Sequence, residues 1–116
     1  MSKSIYNLRI SCSSDGQKEK VSNLLNVKPT KLMGNIWCLE VEERESDEYF
    51  DFINHFLNIL EGKYNQLESI EISKEDISLW LLYEYDDQCN MEFLPNNLKK
   101  LGDNGISFCI SCWASQ

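Results

Sequence analysis

Residues 77–85 read Ile-Ser-Leu-Trp-Leu-Leu-Tyr-Glu-Tyr, and this stretch decides the fold class. Its side chains are apolar on both faces of an extended chain, which is typical of a strand at a central position in a sheet. Residues 5–12, 36–43 and 106–113 alternate instead between apolar and polar side chains, as half-buried strands do. One face of the predicted sheet is therefore packed and the other is open.

Helices are predicted between these strands. Ser14 or Asp15 would cap a short helix over residues 16–26. The main amphipathic helix is expected to start from a cap at Ser46 and to end at Gly62. Pro95 is placed to open a further helix, in which Leu98 and Leu101 are expected to be buried.

The order of these elements indicates the architecture of a single domain, residues 1–116. Residues 86–88 are typical of a turn, and residues 89–93 would be the return strand of a hairpin. The predicted order is then βαβαββαβ. It favours an α+β fold, with an antiparallel or mixed sheet of about five strands and helices packed on one face. A ferredoxin-like arrangement is its simplest version.

The net charge of −8 is distributed unevenly along the 116 residues. Residues 1–34 carry six Lys/Arg and two Asp/Glu, a net charge of +4. Residues 35–95 carry three and sixteen, a net charge of −13, and residues 96–116 carry two and one, a net charge of +1. An acidic segment of this size repels nucleic acid and attracts a basic protein. A solvated acidic surface that only aids solubility is the alternative.

The N-terminal sequence and the hydropathy pattern predict a cytoplasmic protein that does not contact a membrane. The first residues contain no apolar region of a signal peptide, and no apolar run approaches the ~18 residues that span a bilayer. The five cysteines are then expected to be thiols.

The chain contains no recognisable catalytic or metal-binding motif. Cys109 and Cys112 have C-x-x-C spacing, but they lie in a predicted strand that sends them to opposite faces, whereas a redox pair needs a helix N-terminus. Zinc would need two more ligands. His55, the only histidine, is expected at the surface of the main helix. We therefore predict that the protein is not an enzyme and that it binds no cofactor or metal.

The open sheet face is predicted to carry charged and aromatic side chains together: Arg9, Glu40, Glu42, Trp80, Glu84 and Trp113. Tryptophan and arginine are the residue types that most often anchor protein interfaces. Coverage of the two tryptophans by the chain's own loops is the alternative interpretation.

Two resemblances add to this interpretation. Residues 77–81, 91–98 and 106–113 resemble the C-terminal half of a bacterial family of uncharacterised small α+β domains. The sequence Val-Lys-Pro-Thr at residues 27–30, ahead of Trp37, resembles an earlier element of the same family. That resemblance implies no activity. In its short length, acidic charge and predicted α+β class, the chain is similar to the immunity proteins of bacterial toxin systems, including those of contact-dependent growth inhibition. Such proteins cover the active site of a basic toxin.

The predicted function is that of an acidic, cytoplasmic protein-binding domain, most concretely an immunity protein that neutralises a cognate toxin by direct binding. The predicted partner-binding residues are Glu40, Glu42, Glu43, Glu45, Trp80, Glu84, Asp86, Asp87 and Trp113. The alternative from another class is a small enzyme or a metal- or ligand-binding domain that uses the carboxylates of the open face. A structural subunit whose open face pairs with itself is a third interpretation.

Overall fold

The computed structural model describes residues 3–43 and 50–115. The strands are β1 (Lys3–Ser11), β2 (Lys31–Met33), β3 (Ile36–Glu43), β4 (Ile77–Tyr85) and β5 (Ser107–Ala114). The helices are α1 (Asp15–Leu25), α2 (Phe52–Leu60), α3 (Tyr64–Ser69) and α4 (Pro95–Asn104), with a single 3₁₀ turn at Lys74–Asp76.

The strands form one mixed sheet in the order β2-β3-β1-β4-β5. The central strand β1 is antiparallel to both of its neighbours, β3 and β4, and β2 forms an antiparallel hairpin with β3. Strand β5 is parallel to β4, and helix α4 supplies the crossover that a parallel pair requires. The predicted α+β class with a mixed sheet is therefore confirmed.

Two details of the predicted topology differ from the structure. Residues 89–93 form no strand, because both edges of β4 are already occupied by β1 and β5. The fifth strand is instead the short β2, which the sequence pattern missed. Strands β1 to β4 with helices α1 and α2 nevertheless keep the predicted ferredoxin-like arrangement, in which β1 lies between β3 and β4 and is antiparallel to both. Helix α4 and strand β5 extend this arrangement at one edge of the sheet.

Local capping explains where the helices begin and end. The Ser14 side chain accepts a hydrogen bond from the Gln17 backbone, so α1 begins as predicted. Helix α2 begins later than predicted, at Phe52, because Asp51 provides its cap, and the predicted cap Ser46 lies outside the described residues. Gly62 follows α2 with a φ of +73°, the left-handed conformation that glycine adopts without strain.

The core lies between the helices and one face of the sheet. Alternate strand side chains such as Leu8 and Leu79 pack against Phe56 and other apolar residues of α2 in one cluster of buried residues. Helix α4 contributes Leu101 to this core, but Leu98 is 47% exposed, so its expected burial is wrong. Within the described residues, no helix combines the length and the apolar character needed to cross a membrane.

Candidate protein-interaction surface

The face of the sheet opposite the helices is called the open face, and strand register fixes its membership. Asn7 pairs with Glu40 on one side and with Trp80 on the other. Glu84 pairs with Lys3 and with Trp113. Because side chains paired across a sheet point to the same face, the register places on this face the six residues predicted there. These are Arg9, Glu40, Glu42, Trp80, Glu84 and Trp113.

The middle of the open face is a polar network centred on Asn7, which is fully buried. The Asn7 Oδ1 atom accepts hydrogen bonds from Arg9 Nε at 3.0 Å and from Cys38 Sγ at 3.4 Å. Its Nδ2 atom donates to Glu40 Oε1 at 3.2 Å. Sequence reasoning did not single out Asn7. The signal available in the sequence was an uncharged polar residue at the middle of an alternating strand.

Trp80 belongs to the same packed centre. The Arg9 guanidinium lies over the Trp80 ring, 4.2 Å from its centroid, and the indole N–H donates to Ser78 Oγ at 2.9 Å. The cation–π contact and the satisfied indole leave Trp80 half-buried under its own chain. Trp80 therefore contributes to the structure of the open face, and a partner could contact only the part of its side chain that remains exposed.

Lysines of the same chain pair with two of the predicted partner-binding acids. Lys3 Nζ is 3.2 Å from Glu42 Oε1, and Lys31 Nζ is 3.8 Å from Glu40 Oε1. Exposed pairs of this kind contribute about 0–1 kcal/mol each, because water screens them and ordering the side chains costs entropy. A basic partner could therefore replace the lysine at Glu42, which is the more exposed of the two acids.

Negative charge concentrates at one end of the sheet, where β3 and β4 finish. We call the four carboxylates Glu42, Glu84, Asp86 and Asp87 the acidic end. Ser115, directly after β5, holds this end together, since its N–H donates to the Tyr85 carbonyl at 2.7 Å and its hydroxyl donates to Asp86 at 2.9 Å. Trp113 lies beside Glu84 in register and is 42% exposed. The acidic end thus combines charge with an accessible aromatic side chain.

Glu43 does not belong to this surface. It alternates with Glu42 along β3 and points to the helix-covered face, where its carboxylate accepts hydrogen bonds from the Tyr6 hydroxyl and from the Phe50 backbone. The prediction that Glu43 binds a partner rested on its charge alone, and the alternation that puts Trp37 in the core indicates that the Glu43 side chain points to the helix-covered face. Glu45 lies outside the described residues.

The carboxylates of the open face do not converge into a metal-binding cluster. Strand β1 separates Glu84 from Glu40 and Glu42. Within residues 3–43 and 50–115, no group of three or more His, Cys, Asp or Glu side chains is arranged to hold a metal ion. The geometry of the described residues therefore lends no support to a metal site on this face.

The cysteines differ in their access to solvent. Cys12 and Cys38 are buried, and loss of hydration raises the pKa of both thiols, so neither forms a thiolate readily. Cys109 and Cys112 point to opposite faces, because Cys109 pairs with Trp80 and Cys112 with Tyr83. His55 is exposed on α2, with its ring against Phe50 and Phe56.

A pocket of about 290 Å³ opens on the helix side of the sheet, near the same end as the acidic end. Its floor includes Tyr6, Phe52 and Leu81, and residues 90–93 form one wall. Met91 and Phe93, which the sequence placed in a strand, pack instead from this wall onto the core.

Comparisons with family models, with curated proteins and with solved structures find no match to this chain.

Proposed function

We propose that this chain is a protein-binding domain that recognises a basic protein through the acidic end and Trp113. In its most concrete form, the proposal is that the domain is an immunity protein that neutralises a cognate bacterial toxin by covering the toxin's active site. The observation that carries the proposal is the presence of four carboxylates and an exposed tryptophan at the same end of the sheet, with Glu84 beside Trp113.

Electrostatics supports a basic partner. Among residues 3–43 and 50–115, the four carboxylates of the acidic end outnumber Lys3, which lies between Glu42 and Glu84. Complementary charge of this kind speeds the encounter between two proteins and orients them before contact. Affinity should then fall as salt screens the interaction.

Trp113 supports a direct contact. An exposed tryptophan beside charged groups has the composition of an interface centre, where a large aromatic ring is desolvated and charges form the rim. Trp113 is 42% exposed, so a partner could cover its ring without moving the fold.

The test is to co-express the domain with the basic protein encoded by the adjacent gene and to measure binding by calorimetry at several salt concentrations. We expect a one-to-one complex whose Kd rises with salt, and loss of the partner's toxic activity on stoichiometric addition. Trp113→Ala should weaken binding by at least about 30-fold, the equivalent of ~2 kcal/mol. Glu84→Gln and Asp87→Asn should each weaken it several-fold.

Glu61→Gln is the matched control. It removes the same charge from an exposed residue at the end of α2, in the helical layer, and should leave the Kd within about twofold. A Kd that does not change with salt concentration would rule out the acidic end as the recognition surface. An equal increase of the Kd in Glu61→Gln and Glu84→Gln would rule it out as well.

A further inference from the structure

Two cysteines that are distant in sequence lie side by side at the surface. The Sγ atoms of Cys89 and Cys112 are 3.7 Å apart, although 23 positions separate the two residues in the chain. Cys89 lies in the segment between β4 and α4, and Cys112 lies on the edge strand β5. The contact is an S–H···S hydrogen bond. Because the S–S bond of a disulfide is about 2.05 Å long, the two sulfurs would have to move less than ~2 Å closer together to form one.

The two thiols have different access to a reagent. Cys112 is exposed and Cys89 is partly buried. Partial loss of hydration, together with the neighbouring Cys112 thiol, raises the pKa of Cys89. Cys112 is therefore the better placed of the two to react first with a small oxidant, and Cys89 is positioned to resolve the product.

We propose that Cys89 and Cys112 are an oxidation site, which closes to an intramolecular disulfide by exchange with a low-molecular-weight disulfide such as oxidised glutathione. The Cys112 thiolate attacks one sulfur of the reagent, forms a mixed disulfide and releases the first glutathione thiol. The Cys89 thiolate then attacks Sγ of Cys112 and releases the second. Two electrons pass from the cysteines to the reagent, and the two thiol protons end on the two released glutathiones.

The disulfide would join two parts of the fold that β-sheet hydrogen bonds do not connect. Residues 90–93 form one wall of the pocket described above, and Cys112 is adjacent to Trp113. Oxidation would therefore fix the pocket wall against the edge strand and restrict the backbone that carries Trp113. The inference goes beyond the proposed function, because its test needs no partner.

The experiment titrates the reduced full chain in glutathione redox buffers and counts free thiols after denaturation. We expect the count to fall from five to three, with no change in monomer mass beyond the loss of two hydrogens, and peptide mapping should recover a Cys89–Cys112 linked pair. The closed loop should lower the unfolding equilibrium constant by on the order of 100-fold, measured as a higher midpoint in urea.

Cys89→Ser and Cys112→Ser should each abolish the loss of two thiols, whereas Cys109→Ser, on the same strand, should leave it intact. Circular dichroism before oxidation checks that each variant is folded, and Cys89→Ala provides a second test of that position. A mapped Cys109–Cys112 bond, a disulfide between two chains, or five free thiols under oxidising buffer would each overturn the proposal.

Discussion

Asn7 joins three side chains of the open face, and each would lose one hydrogen bond if the amide were removed. Arg9 and Cys38 donate to it, and Glu40 accepts from it, in a site where Asn7 has no access to water. A buried polar group is tolerated only when such partners satisfy it, because desolvation is costly. The stability of the open face therefore depends on a residue that carries no charge.

We predict that Asn7→Ala lowers the free energy of unfolding by about 1–3 kcal/mol, the cost of leaving buried donors and acceptors unpaired. Urea unfolding followed by circular dichroism measures the change. Asn58→Ala, at an exposed position of α2, is the control and should stay within about 0.5 kcal/mol of the wild type. Equal effects of the two substitutions would show that the Asn7 network adds no stability.

Among the helices and strands, alternation predicted which face a side chain occupies but not which strands pair. Residues that alternate in β1, β3 and β5 reached their expected faces, because the pleat of a strand fixes side-chain direction locally. Residues 89–93 form no strand because β5, which follows later in the chain, pairs with the edge of β4 that they were predicted to occupy. Local sequence contains no information on that competition.

The same reasoning explains what was and was not predictable in the candidate site. Alternation along each strand predicted that Glu84 and Trp113 share a face, whereas Glu43 was chosen for its charge and points to the helix-covered face. The proximity of Cys89 to Cys112 depends on how the segment after β4 returns across the sheet edge. No periodicity in the sequence encodes that path.

Helix α4 offers a direct test of burial, because it carries two leucines with opposite environments. Leu101 is 4% exposed and Leu98 is 47% exposed. We predict that Leu101→Ala lowers the free energy of unfolding by about 2–5 kcal/mol, through lost burial and a cavity. Leu98→Ala should cost less than about 1 kcal/mol, since little apolar surface returns to water. Denaturant titrations of both variants decide this, and a larger loss for Leu98→Ala would contradict the orientation of α4.

For the molecule as a whole, the two edges of the sheet differ. Strand β2 is only three residues long, includes Lys31 and closely follows Pro29, features that discourage pairing with another chain. Strand β5 is eight residues long and contains no charged residue. The net charge of −8 opposes association of two copies through this edge, and salt weakens that repulsion.

We therefore predict self-association through β5 that increases with salt, measured by sedimentation velocity. Ile110→Lys, at an exposed position of β5, should suppress it, because a charge on an edge strand disfavours pairing with a second strand. Leu98→Lys makes a comparable change on α4 and should leave the self-association unaltered. A protein that stays monomeric at high salt would contradict the prediction.

The buried amide of Asn7 also restricts the register in which the central strand β1 can pair with β3 and β4. A slip of β1 by one residue would turn Asn7 and Arg9 into the apolar layer under the helices and push Leu8 out to solvent. None of the partners that now satisfy the amide would be within reach there. Asn7 thus helps to specify the register of β1, because a misaligned strand would bury its amide without hydrogen-bond partners.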